Sequence, residues 1–191
     1  MKKIIEIKLL QKKIIDLKKK KKKIILCHGV FDLMHLGHIT HFEKAKSFGD
    51  ILVVSLTSDK FVNKGPGRPV FNERDRAKVI SSLSFVDFVT INNSSTAVNV
   101  ISALKPNLYC KGPDYRKNKN DLTGEIKNEI KSLKKNGGKI FYTQDKTFSS
   151  SFLINKFSDN ISDKQKQIFS TINKKYKTKK IKKIFDKFNK F

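Results

Sequence analysis

Few cysteines, few arginines and no long apolar runs exclude several protein classes at once. The two cysteines, Cys27 and Cys110, cannot build a disulfide framework. Each sits in a short apolar run and is read as a buried reduced thiol. No apolar run approaches the roughly 18 residues of a membrane span. The N-terminus carries lysines but lacks the uninterrupted apolar stretch of a secretion signal. A soluble, cytoplasmic protein with no membrane partner is expected. Arginine occurs only at Arg68, Arg74, Arg76 and Arg116, among 42 basic residues. Base readout favours arginine forks, and single-strand binding favours aromatic platforms between the charges. The basic stretches here are Lys/Ile/Phe/Asn patterns, so they read as solvated ends and not as a nucleic-acid interface.

Acidic residues are also scarce, 17 in 191, and the formal charge is +25. It is unevenly placed. Residues 1–23 hold 11 lysines against 2 acids, and residues 156–191 hold 12 against 3, so +7 remains for residues 24–155. A moderately basic central region suits a binder of polyanionic nucleotides. Three regions follow: a lysine-rich N-terminal helix and connector over 1–23, a domain over 24–157, and a lysine-rich helical extension or linker over 158–191. No internal repeat is visible.

Within 3–19, Ile4, Ile7, Leu10, Ile14 and Leu17 recur at helical spacing, which predicts a short amphipathic helix. Strands are then expected at Ile24–Cys27, Ile51–Leu56, Val86–Ile91, Leu108–Lys111 and Lys139–Thr143. Helices are expected at His38–Ser47, from a cap at Asn72 through Leu83, at Thr96–Leu104, at Asp121–Asn136 before Gly137-Gly138, and from Ser149 to Phe157. Gly65-Pro66-Gly67-Arg68-Pro69 excludes regular structure. Alternating helices and nearly continuous apolar strands imply an α/β fold: a Rossmann-like, doubly wound, five-stranded parallel sheet with helices on both faces. Ligands of such sheets sit at the carboxyl ends of the strands, beside the switch point.

The segment His28-Gly29-Val30-Phe31-Asp32-Leu33-Met34-His35-Leu36-Gly37-His38 leaves the first strand at that end. His35 and His38, three apart at a helix N-terminus, can both face an anion that the helix amides and dipole also attract. Gly37 allows phosphates to approach the backbone. Attack of a phosphate oxygen on the α-phosphorus of a nucleoside triphosphate needs positioning and charge neutralisation, with no covalent protein intermediate. His35 and His38 can donate to the α-phosphate oxygens. Lys64, on a glycine-rich loop, can close over the triphosphate, and Arg76 can bind phosphate. Ser149, Ser150 and Ser151 offer hydroxyls and helix-start amides. Zinc ligation by Cys27, His28, His35, His38 and His41 is disfavoured: Cys27 should point into the sheet, and Gly37 between histidines suits phosphate.

The order of these motifs resembles the cytidylyltransferase-like nucleotidyltransferases over residues 24–157. The adenylyltransferase domain of bifunctional ADP-heptose synthases is the nearer likeness and glycerol-3-phosphate cytidylyltransferase the further. Gly29-Val30-Phe31-Asp32 with His35-Leu36-Gly37-His38 matches the first signature. Gly49-Asp50 and Ser58-Asp59 match the second element. Lys64-Gly65 with Arg68-Pro69 resembles the lysine loop, and Arg76 falls on the helix arginine. Lys111-Gly112-Pro113-Asp114-Tyr115 resembles Lys-Gly-Gly-Asp-Tyr, with Pro113 replacing a glycine. Ser149-Ser150-Ser151 resembles the last signature.

The resemblance implies an enzyme that transfers AMP or CMP from ATP or CTP to a phosphorylated sugar, heptose 1-phosphate-like, and releases pyrophosphate. His35, His38, Lys64 and Arg76 would be catalytic. Gly29, Val30, Phe31, Asp32, Gly37, Lys111, Gly112, Asp114 and Ser149, Ser150, Ser151 would bind nucleotide. Mg2+ would be held mainly by the triphosphate, with no dedicated protein metal site. A homodimer is expected, and fusion to, or action with, a ribokinase-type sugar kinase. A polyol-phosphate cytidylyltransferase and a non-catalytic nucleotide- or nucleic-acid-binding module are the alternatives. Class I aminoacyl-tRNA synthetases share the two-histidine step, but the chain lacks their Lys-Met-Ser-Lys-Ser loop.

Overall fold

A computed structural model describes residues 3–64, 67–113 and 125–143. Asp114, Ser149, Ser150, Ser151 and the expected last helix lie outside them. The strands are β1 (Ile24–Gly29), β2 (Ile51–Thr57), β3 (Phe88–Asn92), β4 (Leu108–Lys111) and β5 (Lys139–Tyr142). They form one parallel sheet in the order β3-β2-β1-β4-β5. The winding reverses between β1 and β4, so the central strand opens onto the switch point. The helices are α1 (Ile7–Lys19), α2 (Leu36–Lys46), α3 (Glu73–Ser81), α4 (Val98–Leu104) and α5 (Ile126–Lys135), with a 3-10 turn at Asp59–Phe61.

Alternate strand residues face opposite sides, and both sides are apolar. Ile25, Cys27, Leu52, Val54, Leu56, Val89 and Cys110 meet Phe42 and Ala45 of α2 and Ala77 and Ile80 of α3. Ile24, Leu26, Val53, Phe88 and Tyr109 meet Leu10 and Ile14 of α1, Val100, Ile101 and Leu104 of α4, and Leu133 of α5. The expected doubly wound architecture, with helices on both faces, is what the chain adopts. Ahead of α1, Ile5 N donates to Val89 O at 2.9 Å and Val89 N donates to Lys3 O at 2.9 Å. Residues 3–5 thus occupy the open edge of β3, where bare backbone groups would otherwise invite pairing with another chain.

Element boundaries shift for local reasons. β1 continues to Gly29 and β2 to Thr57, because His28, Ser55 and Thr57 are polar yet buried. β3 starts at Phe88, not Val86: Asp87 N donates to Leu52 O (3.1 Å), and the Asp87 carboxylate accepts from Leu52 N (2.7 Å) and Lys46 Nζ (2.6 Å). α2 starts at Leu36, with His35 extended before it. Asn72 caps α3 as expected, its Oδ1 accepting from Arg74 N at 2.9 Å and Asp75 N at 3.0 Å. α5 ends before Gly137 and Gly138. A Cβ on Gly138 would lie 2.4 Å from Leu133 Cδ1 and 2.5 Å from Pro106 O, so only glycine fits there.

Candidate active site

The turn after β1 is held from below by an aromatic wedge. Phe31 adopts φ of 49°, a left-handed conformation costly for a bulky residue and typical of functional turns. Its buried ring lies 4.9 Å from Phe42 and 5.4 Å edge-on from the His38 ring. A Cβ on Gly29 would approach that ring to 3.0 Å, which explains a glycine at the end of the strand. His35 and His38 stack, with ring centroids 3.8 Å apart and planes inclined by 23°. Both His35 ring nitrogens and His38 Nδ1 are buried without a hydrogen-bond partner. His38 is pushed down to about pKa 3, first by burial and then by His35, His41 and Lys64, while a hydrogen bond with the Leu33 backbone opposes the shift. His35 is lowered by burial and by Lys64. Both imidazoles are therefore neutral near pH 7, and each carries a single N–H.

Lys64 is exposed as a residue, but its ammonium lies close enough to influence both imidazoles. Burial of the ammonium and the nearby Arg68 and Arg76 lower its own pKa, while Asp32 opposes them. Asp32 is buried and fully engaged. Its Oδ2 accepts from Arg68 Nε at 2.5 Å, and its Oδ1 accepts from Val70 N at 2.7 Å and Phe71 N at 3.2 Å. The carboxylate thereby ties residues 68–71 to the histidine turn.

Arg76, on α3, is 1% exposed. Its guanidinium donates to the carbonyls of Val30, Thr57 (2.8 Å) and Phe71 (2.9 Å), and to Asp59 Oδ1 at 2.6 Å. Four of its five N–H groups thus serve protein acceptors, and Arg76 holds together the loops after β1 and β2 and the segment before α3. Asp59 and Glu73 lock the same corner: Asp59 N donates to Glu73 Oε2 (2.8 Å) and Glu73 N to Asp59 Oδ2 (3.0 Å).

The structure thus brings together His35, His38 and Lys64, with Val30, Phe31, Asp32 and Arg76 around them. Gly37 is the second residue of α2, and Gly112 follows β4 with open space where a Cβ would be. Lys111 lies elsewhere. Its ammonium is 3.4 Å from Glu129 Oε2, on the α1/α4/α5 side of the sheet, with both side chains buried. Glu129 Oε2 also accepts from Tyr109 OH at 2.9 Å, and Glu129 Oε1 accepts from Ala97 N at 2.8 Å. Despite burial, Lys111 and these donors hold the Glu129 carboxyl below its usual range. His28 lies nearby, with Nδ1 3.1 Å from Ser55 Oγ, and its pKa falls to about 4 through burial and Lys111. Sequence reasoning overlooked this group. Its trace is the run of polar residues at the last positions of strands: His28, Ser55, Thr57, Lys111.

Among the described residues, no group of three His, Cys, Asp or Glu side chains is arranged to hold a metal ion. No described helix is long and apolar enough to cross a membrane.

Residues 26–157 match the model of the cytidylyltransferase-like family. Bifunctional protein HldE of Helicobacter pylori is 42% identical over 112 residues, 58% of this chain and 24% of that protein. Bifunctional protein HldE of Methylobacillus flagellatus is 40% identical over 119 residues, 61% and 23% of the two chains. The matched stretch therefore spans about a quarter of these relatives. A lipopolysaccharide core biosynthesis protein from Thermoplasma volcanium superposes with a TM-score of 0.53, at 24% identity over 67% of this chain and 99% of that one. A pantoate-beta-alanine ligase from Francisella tularensis gives 0.55, at 19% identity over 90% and 77%. These two likenesses speak for the fold. The family match runs from the middle of β1 past the end of β5, across the sheet, the histidine turn and the lysine loop: the chain belongs to the cytidylyltransferase-like family.

Proposed function

We propose that the chain is a nucleotidyltransferase moving AMP or CMP from ATP or CTP to a phosphorylated sugar of the heptose 1-phosphate kind. One observation carries the reading. Two stacked, neutral, half-buried imidazoles stand at the N-terminus of α2, three of their nitrogens are buried without a partner, and a lysine ammonium lies close by. Buried donors of this kind call for acceptors, and a phosphate at a helix N-terminus supplies them.

In the reaction an oxygen of the acceptor phosphate attacks the α-phosphorus. The bond from the α-phosphorus to the bridging oxygen breaks, and its electron pair leaves on pyrophosphate. Charge grows on the α-phosphate oxygens and on the leaving group. His35 and His38 donate to the former, and the Lys64 ammonium neutralises the latter. No side chain is needed as a nucleophile. Both Asp32 oxygens are taken by protein donors, so Mg2+ is proposed to enter on the triphosphate, where it shields phosphate charge. The names of the HldE relatives, which are bifunctional, support action beside a second activity, for which a sugar kinase is our proposal.

Pyrophosphate release, measured with ATP and with CTP against a panel of sugar and polyol phosphates, tests the reading. Release that depends on a sugar phosphate supports it. Release only with polyol phosphates replaces the acceptor class, and nucleotide binding without release rejects the enzyme.

A further inference from the structure

We propose that Arg68 is a further phosphate-binding residue of this site: Asp32 positions its guanidinium so that Nη2 meets the phosphate chain of the nucleoside triphosphate. The inference rests on the reading of the site as a triphosphate site and adds to it a residue and a positioning device.

Arg68 Nε donates to Asp32 Oδ2 at 2.5 Å, and the two side chains are 10% and 0% exposed. A pair this buried is not a surface contact formed by chance; desolvating both charges is costly and needs good geometry in return. Asp32 supplies that geometry. Its second oxygen is fixed by Val70 N and Phe71 N, so the carboxylate cannot turn away, and the guanidinium plane is set by the backbone of the loop that carries it.

That anchoring uses the Nε edge of the fork. Arg68 Nη2 is buried and has no hydrogen-bond partner. A buried guanidinium N–H without an acceptor is expensive, because it has lost water and gained nothing. It lies in the same corner as other unpartnered polar atoms: Arg68 and Asp32 both act on the Lys64 ammonium, which acts on both imidazoles. Both His35 ring nitrogens, one of them a donor, and His38 Nδ1 are likewise buried and unpartnered. Lys64 adds its charge to the same place. Unpartnered nitrogens on one arginine and two histidines, a lysine beside them, and a single carboxylate whose oxygens are already taken form a concentration of donors that only a polyanion satisfies. Arg76 is committed elsewhere, since four of its five N–H groups are directed to protein oxygens.

Inorganic pyrophosphate with Mg2+ is the direct probe, because it carries phosphate oxygens without base, ribose or acceptor. Its affinity is measured by calorimetry on the full chain, beside the KM for the nucleoside triphosphate. Arg68→Ala is expected to weaken pyrophosphate binding by about 10- to 100-fold, the range of a charge-assisted hydrogen bond. The KM for triphosphate should rise in step, with the KM for the acceptor unchanged. Arg68→Lys keeps the charge but lacks the planar fork, so it should fall short of wild type by about tenfold. Asp32→Asn, which takes the charge from Arg68's anchor, should behave like Arg68→Lys.

Wild-type pyrophosphate affinity in Arg68→Ala, or in Arg68→Lys if the alanine variant does not fold, overturns the proposal and assigns Arg68 to the loop scaffold. Wild-type affinity in Asp32→Asn alone overturns the positioning by Asp32. A wild-type protein that binds neither pyrophosphate nor triphosphate refutes the triphosphate site itself and this inference with it. Wild-type turnover with an unaffected Arg68→Ala refutes only the inference.

Discussion

Acid should destabilise this protein well before its carboxylates are protonated, and two histidines on opposite faces of the sheet set the size of the effect. In the unfolded chain an imidazole titrates near 6.5, whereas the folded chain holds His38 at about 3 and His28 at about 4. A folded-state value below the unfolded one means that the unfolded chain binds more protons between the two. The stability each histidine contributes is therefore fully present above 6.5 and declines as pH falls below it. At pH 5 each group lies about 1.5 units below its unfolded value and still above its folded one. Each then withholds about 2 kcal/mol, at roughly 1.4 kcal/mol per unit. Together they remove about 4 kcal/mol between pH 7 and 5, a large part of a typical stability of 5–15 kcal/mol. His35, also lowered, acts in the same direction.

Urea unfolding followed by far-ultraviolet circular dichroism is the assay, since the chain has no tryptophan. The midpoint should move markedly lower at pH 5, with an unchanged slope. His28→Asn should remove about half of the pH dependence, because asparagine does not titrate. The two histidines then separate by ligand. Pyrophosphate beside His38 favours the charged imidazole and should restore part of the stability at pH 5. His28, close to Lys111 on the other face of the sheet, gains nothing from it. A stability that stays flat from pH 7 to 5, or a pH dependence of stability in His28→Asn equal to that of the wild type, refutes the reasoning.

Removing a transition-state donor, as in His38→Ala, should lower kcat for pyrophosphate release by about 10² or more while the circular dichroism spectrum is kept. Arg76→Met leaves the carbonyls of Val30, Thr57 and Phe71 without their donor; a loss of about 3 kcal/mol or more is expected in urea unfolding. Glu129→Leu removes the carboxylate beside the buried Lys111 ammonium and should cost about 3–5 kcal/mol, read as a fall in melting temperature. Gly138→Ala forces a methyl against Leu133 and Pro106 O, and a loss of about 1–3 kcal/mol is expected by the same measurement.

The sheet was legible because its strands are apolar on both faces, so runs such as Ile24-Ile25-Leu26-Cys27 stand out from the lysines around them. The histidine turn was legible because its spacing and glycines are local. The strand ends were not. His28 and Thr57 fall beyond the expected strands and Ser55 and Lys111 within them, but all four point to one buried side where Glu129, Tyr109 and Thr96 lie. Polar residues that satisfy one another over 20 or more positions leave no periodic trace. The same holds for Lys111. Its place at the carboxyl end of β4 suggests a nucleotide contact, and only the packing of α5 reveals the carboxylate beside it.

The two arginines near the histidine turn show why sequence position alone does not assign chemistry. Arg76 sits on the helix position that the family resemblance marks for phosphate, yet three of its partners are backbone carbonyls from three separate segments. A carbonyl cannot turn away from a donor without moving its chain. Four of its five N–H groups are held by protein oxygens, so one Nη1–H at most is left for a phosphate. Arg68 is not so committed. Its Nε is committed to Asp32, while Nη2 is buried and unmatched, so an anionic oxygen there removes a penalty and displaces no bond. Arg76 thus shapes the walls, and Arg68 presents the donor. Their variants should separate accordingly: at Arg76 the loss appears in the unfolding free energy, and at Arg68 it appears in the affinity for pyrophosphate.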